Sequence, residues 1–411
     1  MNNNMAHVIT ACIEDRRNVI IKGQSSWMRR CGIDLLLKML ILYVNSIGKY
    51  NTCGSPIYVD EINNISMVCN LRDTAEIVDA DDALFVCMHR CSPKKHIKLG
   101  AVWCIAQAVS LIACAIPHIA SFFGKDAPVN ERLAKLLIHR MRDYVSRLGY
   151  QQPYILMSDH HFFSTVIAMD EFATSVVLQH GLIGDMRFFS PVRANYFFAW
   201  SEKSASLVDS EKAINAGTYK FSKLSSKRRD SNVETLADTK RVLLILSSSK
   251  TAQQIVRRLE PILTLQERYK FTLLIKMHPG SLFSMDELRN AVASAKIELY
   301  KEEKIETLDF DFAFIEQSTA ALDVACLGVP FIVIDETSGS YFAEYKGVLP
   351  SVATSEELIC SAERYCRSCY ERAYLYFLER EIDSGQCDID DFIRQMQHKC
   401  SCVNNGETRD R

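Results

Sequence analysis

Between residues 154 and 334 short apolar runs alternate with stretches of helical character, and this pattern limits the folds open to the chain. A strand that is apolar along its whole length must be covered on both faces, which points to parallel sheets joined by crossover helices. The alternation occurs twice. Strands are expected at 154–157, 175–178 and 196–200, with a helix over 159–171. A second set is expected at 241–246, 271–276, 297–300, 311–315 and 331–334. Helices are expected at 251–267, 285–295 and 319–327, with 356–379 largely helical. Between the sets lies the polar interval 222–240, SKLSSKRRDSNVETLADTK, with the basic cluster Lys227-Arg228-Arg229. It reads as an interdomain linker. The expected class is α/β, with two Rossmann-like domains facing a cleft. Their bounds are 1–221 and 241–375, followed by a C-terminal helix at 376–398 that packs back on the first domain and a flexible tail at 399–411.

A chain of 411 residues exceeds the roughly 250–300 at which single cores stop growing, in keeping with two domains. Its 48 Lys and Arg balance 50 Asp and Glu for a net charge of −2, which argues against a dedicated nucleic-acid binder. The 15 cysteines are an odd number and no secretory signal opens the sequence, so a reduced, cytoplasmic protein is expected. Cys366-x-x-Cys369 and Cys400-x-Cys402 have no partner pair at zinc-finger spacing and read as incidental thiols. The first hundred residues are hard to parse beyond a helix at 34–44 and a short buried strand at 83–88. No charged residue falls between Lys98 and Lys125. Length alone would allow a membrane span there. Gln107, Ser110, Pro117 and His118 favour instead a buried helix ending near Pro117, with a docking face toward a membrane or a partner as an alternative.

In doubly wound sheets, ligands bind outside the carboxyl ends of the strands. The strand at 271–276 ends in Lys276-Met277-His278-Pro279-Gly280, where a cation and an imidazole at alternate positions suit a phosphate before a sharp turn. The strand at 311–315 leads into Glu316-Gln317-Ser318-Thr319, where either hydroxyl could cap the next helix and its first amides could meet an anion. A surface lysine, a packed histidine and an ordinary cap are the structural alternatives. In the first half, 175–178 ends in Gln179-His180-Gly181, with Gly184-Asp185 close behind, and 154–157 ends in Ser158-Asp159-His160-His161. A histidine at such an edge can act as a general base or hold an oxyanion. The Asp-His-His cluster with His180 could also be read as metal ligands, although no fourth ligand is suitably spaced. No dinucleotide fingerprint, P-loop or nucleophile elbow is present.

In this order, Gln179-His180-Gly181, Lys276-x-His278-Pro279 and Ser318-Thr319 resemble the motifs of GT-B-type bacterial glycosyltransferases of surface polysaccharide synthesis. The stretch 194–224, with Trp200-Ser201-Glu202 and Ala216-Gly217, is similar to their approach to the second domain. The resemblance covers roughly 154–334. Its Lys-x-His-Pro and Ser-Thr pattern is similar to CMP-sugar sialyl- and Kdo transferases. Its His-Gly turn matches CDP-glycerol glycerophosphotransferases, and Gln179-His180 departs from the acidic pair of sialyltransferases. The resemblance implies a first domain that takes the acceptor and a second that binds the donor. It implies no cofactor or metal, and a cytidine nucleotide donor in preference to uridine. Lys276, His278, Pro279, Gly280, Gln317, Ser318, Thr319 and Ser248 would bind the donor. His180 first, then Asp159, His160 and Asp185, would serve the chemistry. The implied acceptor is a saccharide or lipid-linked saccharide of capsule, O-antigen or lipopolysaccharide, and the neutral charge with the uncharged stretch 99–124 fits peripheral association at the inner membrane face. A UDP-sugar 2-epimerase of the same fold and a non-catalytic nucleotide-sugar-binding scaffold remain as alternatives.

Overall fold

The computed structural model describes residues 26–48, 57–60, 84–87, 98–122, 131–148, 153–183, 191–208, 211–229, 233–247, 252–278, 286, 288–289, 296–301, 303–334, 341–383, 391–392 and 395. The elements of the first half are α1 (Ser26–Asn45), β1 (Ile47–Gly48), β2 (Ile57–Asp60), β3 (Leu84–Cys87), β4 (Leu99–Gly100), α2 (Ala101–Phe122) and α3 (Glu131–Leu148). They continue with β5 (Tyr154–Leu156), α4 (Phe162–Ala168), β6 (Ser175–Leu178), β7 (Tyr196–Ala199), α5 (Glu202–Val208), β8 (Ala213–Asn215) and α6 (Tyr219–Ser225). The second half contains β9 (Arg241–Ile245), α7 (Ala252–Tyr269), β10 (Thr272–Lys276), β11 (Ile297–Tyr300), β12 (Phe312–Ile315), α8 (Ala320–Cys326), β13 (Phe331–Ile334), β14 (Ser351–Val352), α9 (Ser355–Glu363) and α10 (Arg367–Glu381).

Two six-stranded parallel sheets result, ordered β3-β2-β5-β6-β7-β8 and β11-β10-β9-β12-β13-β14. The second has the strand order of a Rossmann sheet, with its switch point between β9 and β12. The first reverses direction between β2 and β5. The chain is therefore α/β with two Rossmann-like domains, as the apolar alternation implied. The edge strands β8 and β14 escape that reading because three- and two-residue strands carry almost no periodic signal.

Alternation along the strands divides the second sheet between two cores. Leu243, Ile245, Leu274, Ala313, Ile315, Phe331 and Val333 face one side, toward α6, α8 and α10. Val242, Leu244, Leu273, Ile275, Phe312, Phe314 and Ile332 face the other, toward α7 and α9. Trp200 and Leu182, from the first half of the chain, belong to the first of these cores. Trp200 is buried edge-to-face on Phe221 at 5.1 Å. Removing such a ring costs about 3–5 kcal/mol, so the two halves share a substantial contact.

Several expectations need correction. The interval 222–240 does not hang between the domains: Phe221 and Leu224 of α6 sit in the second core, and Arg229 donates to the carbonyls of Leu308, Phe310 and Glu306 while lying over the Phe310 ring. Its positive charge answers carbonyl dipoles, so it is bound along most of its described length. The helix over the uncharged stretch does not end near Pro117 but runs to Phe122, with Pro117 inside it. Nor is that helix wholly buried, since one apolar face is exposed. Among the described residues no helix is long and apolar enough to cross a membrane. The helix expected over 159–171 is shorter, and the expected 285–295 helix lies mostly outside the described residues.

Beyond α10 the chain meets the first sheet again. Asp383 accepts from the Glu202 amide at 3.0 Å and from Asn215 Nδ2 at 2.8 Å, and Phe392 packs edge-on to Tyr196 and Phe198. Lys203 of α5 reaches Glu344 and Glu381, and Tyr345 donates to Glu381 at 2.5 Å.

One buried ion pair sets the second sheet's switch point. Glu316, one residue past β12, accepts from Arg258 Nε at 3.1 Å and from the Ser247 amide at 2.8 Å, with both charged side chains buried. Breaking such a pair strands a buried charge, at a cost of about 3–5 kcal/mol. Arg258→Met is expected to lower the unfolding free energy by that order in a urea titration. The double variant Arg258→Met/Glu316→Gln is expected to lose clearly less, because no charge is then left behind.

Candidate active site

A hydrogen bond links the carboxyl ends of β6 and β12. After β6 the chain turns through Gln179-His180-Gly181, and the next amide, Leu182, donates to Thr319 Oγ1 at 3.1 Å. A Cβ on Gly181 would stand 3.1 Å from the same oxygen, so only glycine lets the turn come this close without displacing it. Two motifs 137 residues apart are thereby brought together.

Gln179 shapes the turn. Its buried amide donates to the Gly181 carbonyl at 2.9 Å and to Ser204 Oγ at 3.2 Å, and accepts from the Trp200 amide at 2.7 Å. His180, half-buried, is hydrogen-bonded to the Met157 backbone at the end of the neighbouring strand. Burial pushes its pKa down to about 4, against the smaller opposing effect of that bond. The imidazole is neutral at physiological pH. With one N–H directed to the Met157 backbone, the other ring nitrogen is left as an acceptor, and Nδ1 is enclosed by protein.

On the second sheet, Thr319 does not cap the helix with its side chain: it is in helical conformation, and its hydroxyl serves Leu182. Ser318 Oγ accepts from the Ala320 amide at 3.2 Å instead. The helix behind them is only the seven residues Ala320–Cys326, shorter than expected, so its dipole contributes little and hydroxyls and imidazole must supply most of any phosphate contact. His278 lies half-buried past β10, its pKa lowered by burial and then by Lys276. Lys276 itself differs from the expected open cation: its ammonium donates to the carbonyls of Lys301 at 3.1 Å and Glu303 at 2.6 Å. Gln317 is half-buried on the same rim. Ser248, Pro279, Gly280 and Asp185 lie outside the described residues.

Asp159 and His160 are committed to a different task. The buried Asp159 carboxylate accepts from the amides of Arg193 and Ala194, fixing the loop that enters β7. His160 stands 3.3 Å from Asp159 through Nε2 and 2.6 Å from Arg193 Nη1 through Nδ1. A guanidinium only donates, so Nδ1 accepts and Nε2 carries the proton toward Asp159. That arrangement ties a rim together and supplies no base. Among the described residues no three His, Cys, Asp or Glu side chains cluster to hold a metal ion.

Gln179's hub role, Arg193, and the Arg258–Glu316 pair were not assigned from sequence. An acidic residue directly after an apolar strand was a usable signal for Glu316, since a buried carboxylate requires a cation. Arg193 gave none, because its partner is 33 residues distant.

No protein-family model matches the chain, and no curated protein matches it. Among solved structures it is similar to S. aureus MnaA in a co-structure with UDP, at 13% identity and TM-score 0.49, over 84% of this chain and 96% of that one. It is similar to UDP-GlcNAc 2-epimerase from Neisseria meningitidis bound to UDP-GlcNAc, at 12% identity and TM-score 0.49, over 84% of this chain and 100% of that one. A third similarity is to the wall teichoic acid polymerase TagF, at 11% identity and TM-score 0.48, over 90% of this chain and 94% of that one. The two strand orders, rather than these likenesses, establish the architecture.

Two outcomes check this geometry. Gly181→Ala is expected to cost about 1–2 kcal/mol through the clash with Oγ1. In a Thr319→Ala background the same change is expected to cost far less, a non-additivity of about 1 kcal/mol in a denaturation cycle. The depressed His180 pKa gives the second. Unfolded histidine titrates near 6.5 and the folded residue near 4, so between those values the unfolded chain binds the extra proton. His180's contribution is complete above about 6.5 and is lost as pH falls toward about 4, with His278 acting in the same direction. His180→Gln is expected to flatten the fall in melting temperature across that window.

Proposed function

We propose that the chain is a nucleotide-sugar-dependent glycosyltransferase, its first domain binding the acceptor and its second the donor. The observation that carries this reading is the hydrogen bond from Leu182, in the turn that carries His180, to Thr319, which joins the carboxyl-end rims of the two sheets. A ligand between them would touch both carboxyl-end rims, where sheets of this kind bind nucleotides.

In the proposed reaction the donor phosphate rests on Ser318, Thr319 and His278. Thr319 accepts from Leu182 and keeps its own hydroxyl proton to donate. His278, neutral beside Lys276, donates one N–H, and the nearby ammonium opposes the charge that builds on the departing nucleotide. His180 takes the proton of the acceptor hydroxyl as that oxygen attacks the anomeric carbon. The sugar–phosphate bond breaks, and the electron pair leaves with the nucleotide. A general base of this kind contributes about 10²–10⁴-fold. No step calls for a metal.

A cytidine nucleotide is the donor favoured by the motif resemblance, with a saccharide or lipid-linked saccharide as acceptor. The His180-Gly181 turn also supports a second reading, transfer of glycerol phosphate from CDP-glycerol. There His180 would deprotonate the same acceptor hydroxyl, but attack falls on phosphorus and CMP leaves.

The two histidines separate binding from chemistry. His278→Ala is expected to weaken binding of CMP or CDP at least tenfold by titration calorimetry. His180→Ala is expected to retain that affinity and lose about 10²–10⁴-fold in turnover. Turnover that proceeds at full rate without any acceptor would reject transfer and favour epimerisation.

A further inference from the structure

Away from the cleft, two thiols meet at the start of α10. Cys366 is the N-cap of that helix, extended at φ −139° and ψ 116°, and Cys369 is its third residue. Side chains at those two positions face one another across the first turn, as in a capping box. Spacing alone cannot show this, since it depends on where the helix begins. The turn is closed, with the Cys369 amide donating to the Cys366 carbonyl at 3.2 Å. The Cys369 thiol is hydrogen-bonded to the Cys366 sulfur, which raises its pKa and keeps it a thiol. Cys369 is exposed and Cys366 half-buried, so a small reagent can reach the pair. A disulfide needs Cα atoms about 4.4–6.8 Å apart, a span that neighbours on one helical turn satisfy.

The half-buried thiol also has a structural task. Cys366 Sγ donates to Glu234 Oε1 at 3.0 Å, and the Ser368 amide and hydroxyl donate to the same oxygen at 3.0 and 2.6 Å. The Ser368 hydroxyl first, and the Cys366 thiol next, hold the Glu234 pKa down to about 2, so the acceptor stays ionised. The Glu234 carbonyl accepts from the Arg367 amide at 2.9 Å. Residue 234, in the stretch that leads into β9, is thereby clasped to the first turn of α10.

We propose that Cys366 and Cys369 form a reversible disulfide, and that forming it takes one donor from Glu234 and loosens this clasp. The oxidant is a small disulfide of the glutathione type, R–S–S–R. The exposed Cys369 sulfur attacks one sulfur of the reagent. A mixed disulfide forms, the reagent's S–S bond breaks, and the first R–SH leaves with the Cys369 proton. Cys366 then attacks Cys369 Sγ. The protein S–S bond forms, the mixed bond breaks, and the second R–SH leaves with the proton that Cys366 had shared with Glu234. Two electrons pass from the protein thiols to the reagent. A bridged sulfur has no proton to donate. The bridge closes a very short loop and adds little constraint of its own. The proposal is independent of the reaction assigned to the cleft.

The test equilibrates the full chain in buffers of reduced and oxidised glutathione, followed by acid quenching, alkylation and peptide mapping. In the oxidised buffer the peptide carrying 366–369 is expected to lose both alkyl labels and to be lighter by two hydrogen atoms than the reduced peptide. Excess reduced glutathione is expected to restore both labels. In the bridged protein the amides of Arg367 and Ser368 are expected to exchange with solvent about threefold faster than in the reduced protein. Cys366→Ser keeps a hydroxyl donor for Glu234 and cannot bridge, so its exchange is expected to match the reduced parent in both buffers. Cys366→Ala is expected to match the bridged parent in both. A lasting mixed disulfide with glutathione, a bond from either cysteine to any other cysteine, or two intact thiols in the oxidised buffer would overturn the proposal. So would unchanged exchange at Arg367 and Ser368 in the bridged protein.

Discussion

The hydrogen bond from the Leu182 amide to Thr319 joins the two halves of this molecule just past the carboxyl ends of β6 and β12. Its worth as a bond is small, on the order of 1 kcal/mol. Its importance is geometric, because it requires Gly181 to lack a side chain, Gln179 to hold the turn from beneath, and Thr319 to give up capping its own helix. Each of those conditions in turn depends on packing nearby. Trp200 donates its amide to Gln179 and buries its ring in the second core, so the same residue supports the turn and binds the halves.

Around that contact the molecule is held by polar links whose energies depend on burial. The Arg258–Glu316 pair is enclosed and therefore costly to break. Lys203, partly covered, reaches Glu344, Glu381 and Tyr345. With Asp383 on Glu202 and Asn215, these links close the far side, where the last described stretch of chain returns to the first sheet.

Much of the architecture was legible from the apolar runs. β6 and β13 span the residues that the runs mark, because a fully buried parallel strand shows its burial in every residue. The histidines were legible as rim residues for the same reason, as each lies two or three residues past such a run. What the pattern could not convey was which side chains would meet. Thr319 reads as a cap until Leu182 approaches from the other sheet, and Lys276 reads as an open cation until the carbonyls of Lys301 and Glu303 surround its ammonium. The uncharged stretch was misread in a related way. Composition marked α2 as apolar all round, whereas only tertiary packing decides which of its faces is covered.

The most direct test of a composite nucleotide site is thermal unfolding of the full chain with CMP, CDP, UMP, UDP and GDP, since a ligand that binds the native state raises the midpoint by mass action. The account predicts a shift with CMP or CDP that exceeds those with uridine and guanosine nucleotides and shrinks in Thr319→Ala. An unmoved midpoint with every nucleotide would contradict it.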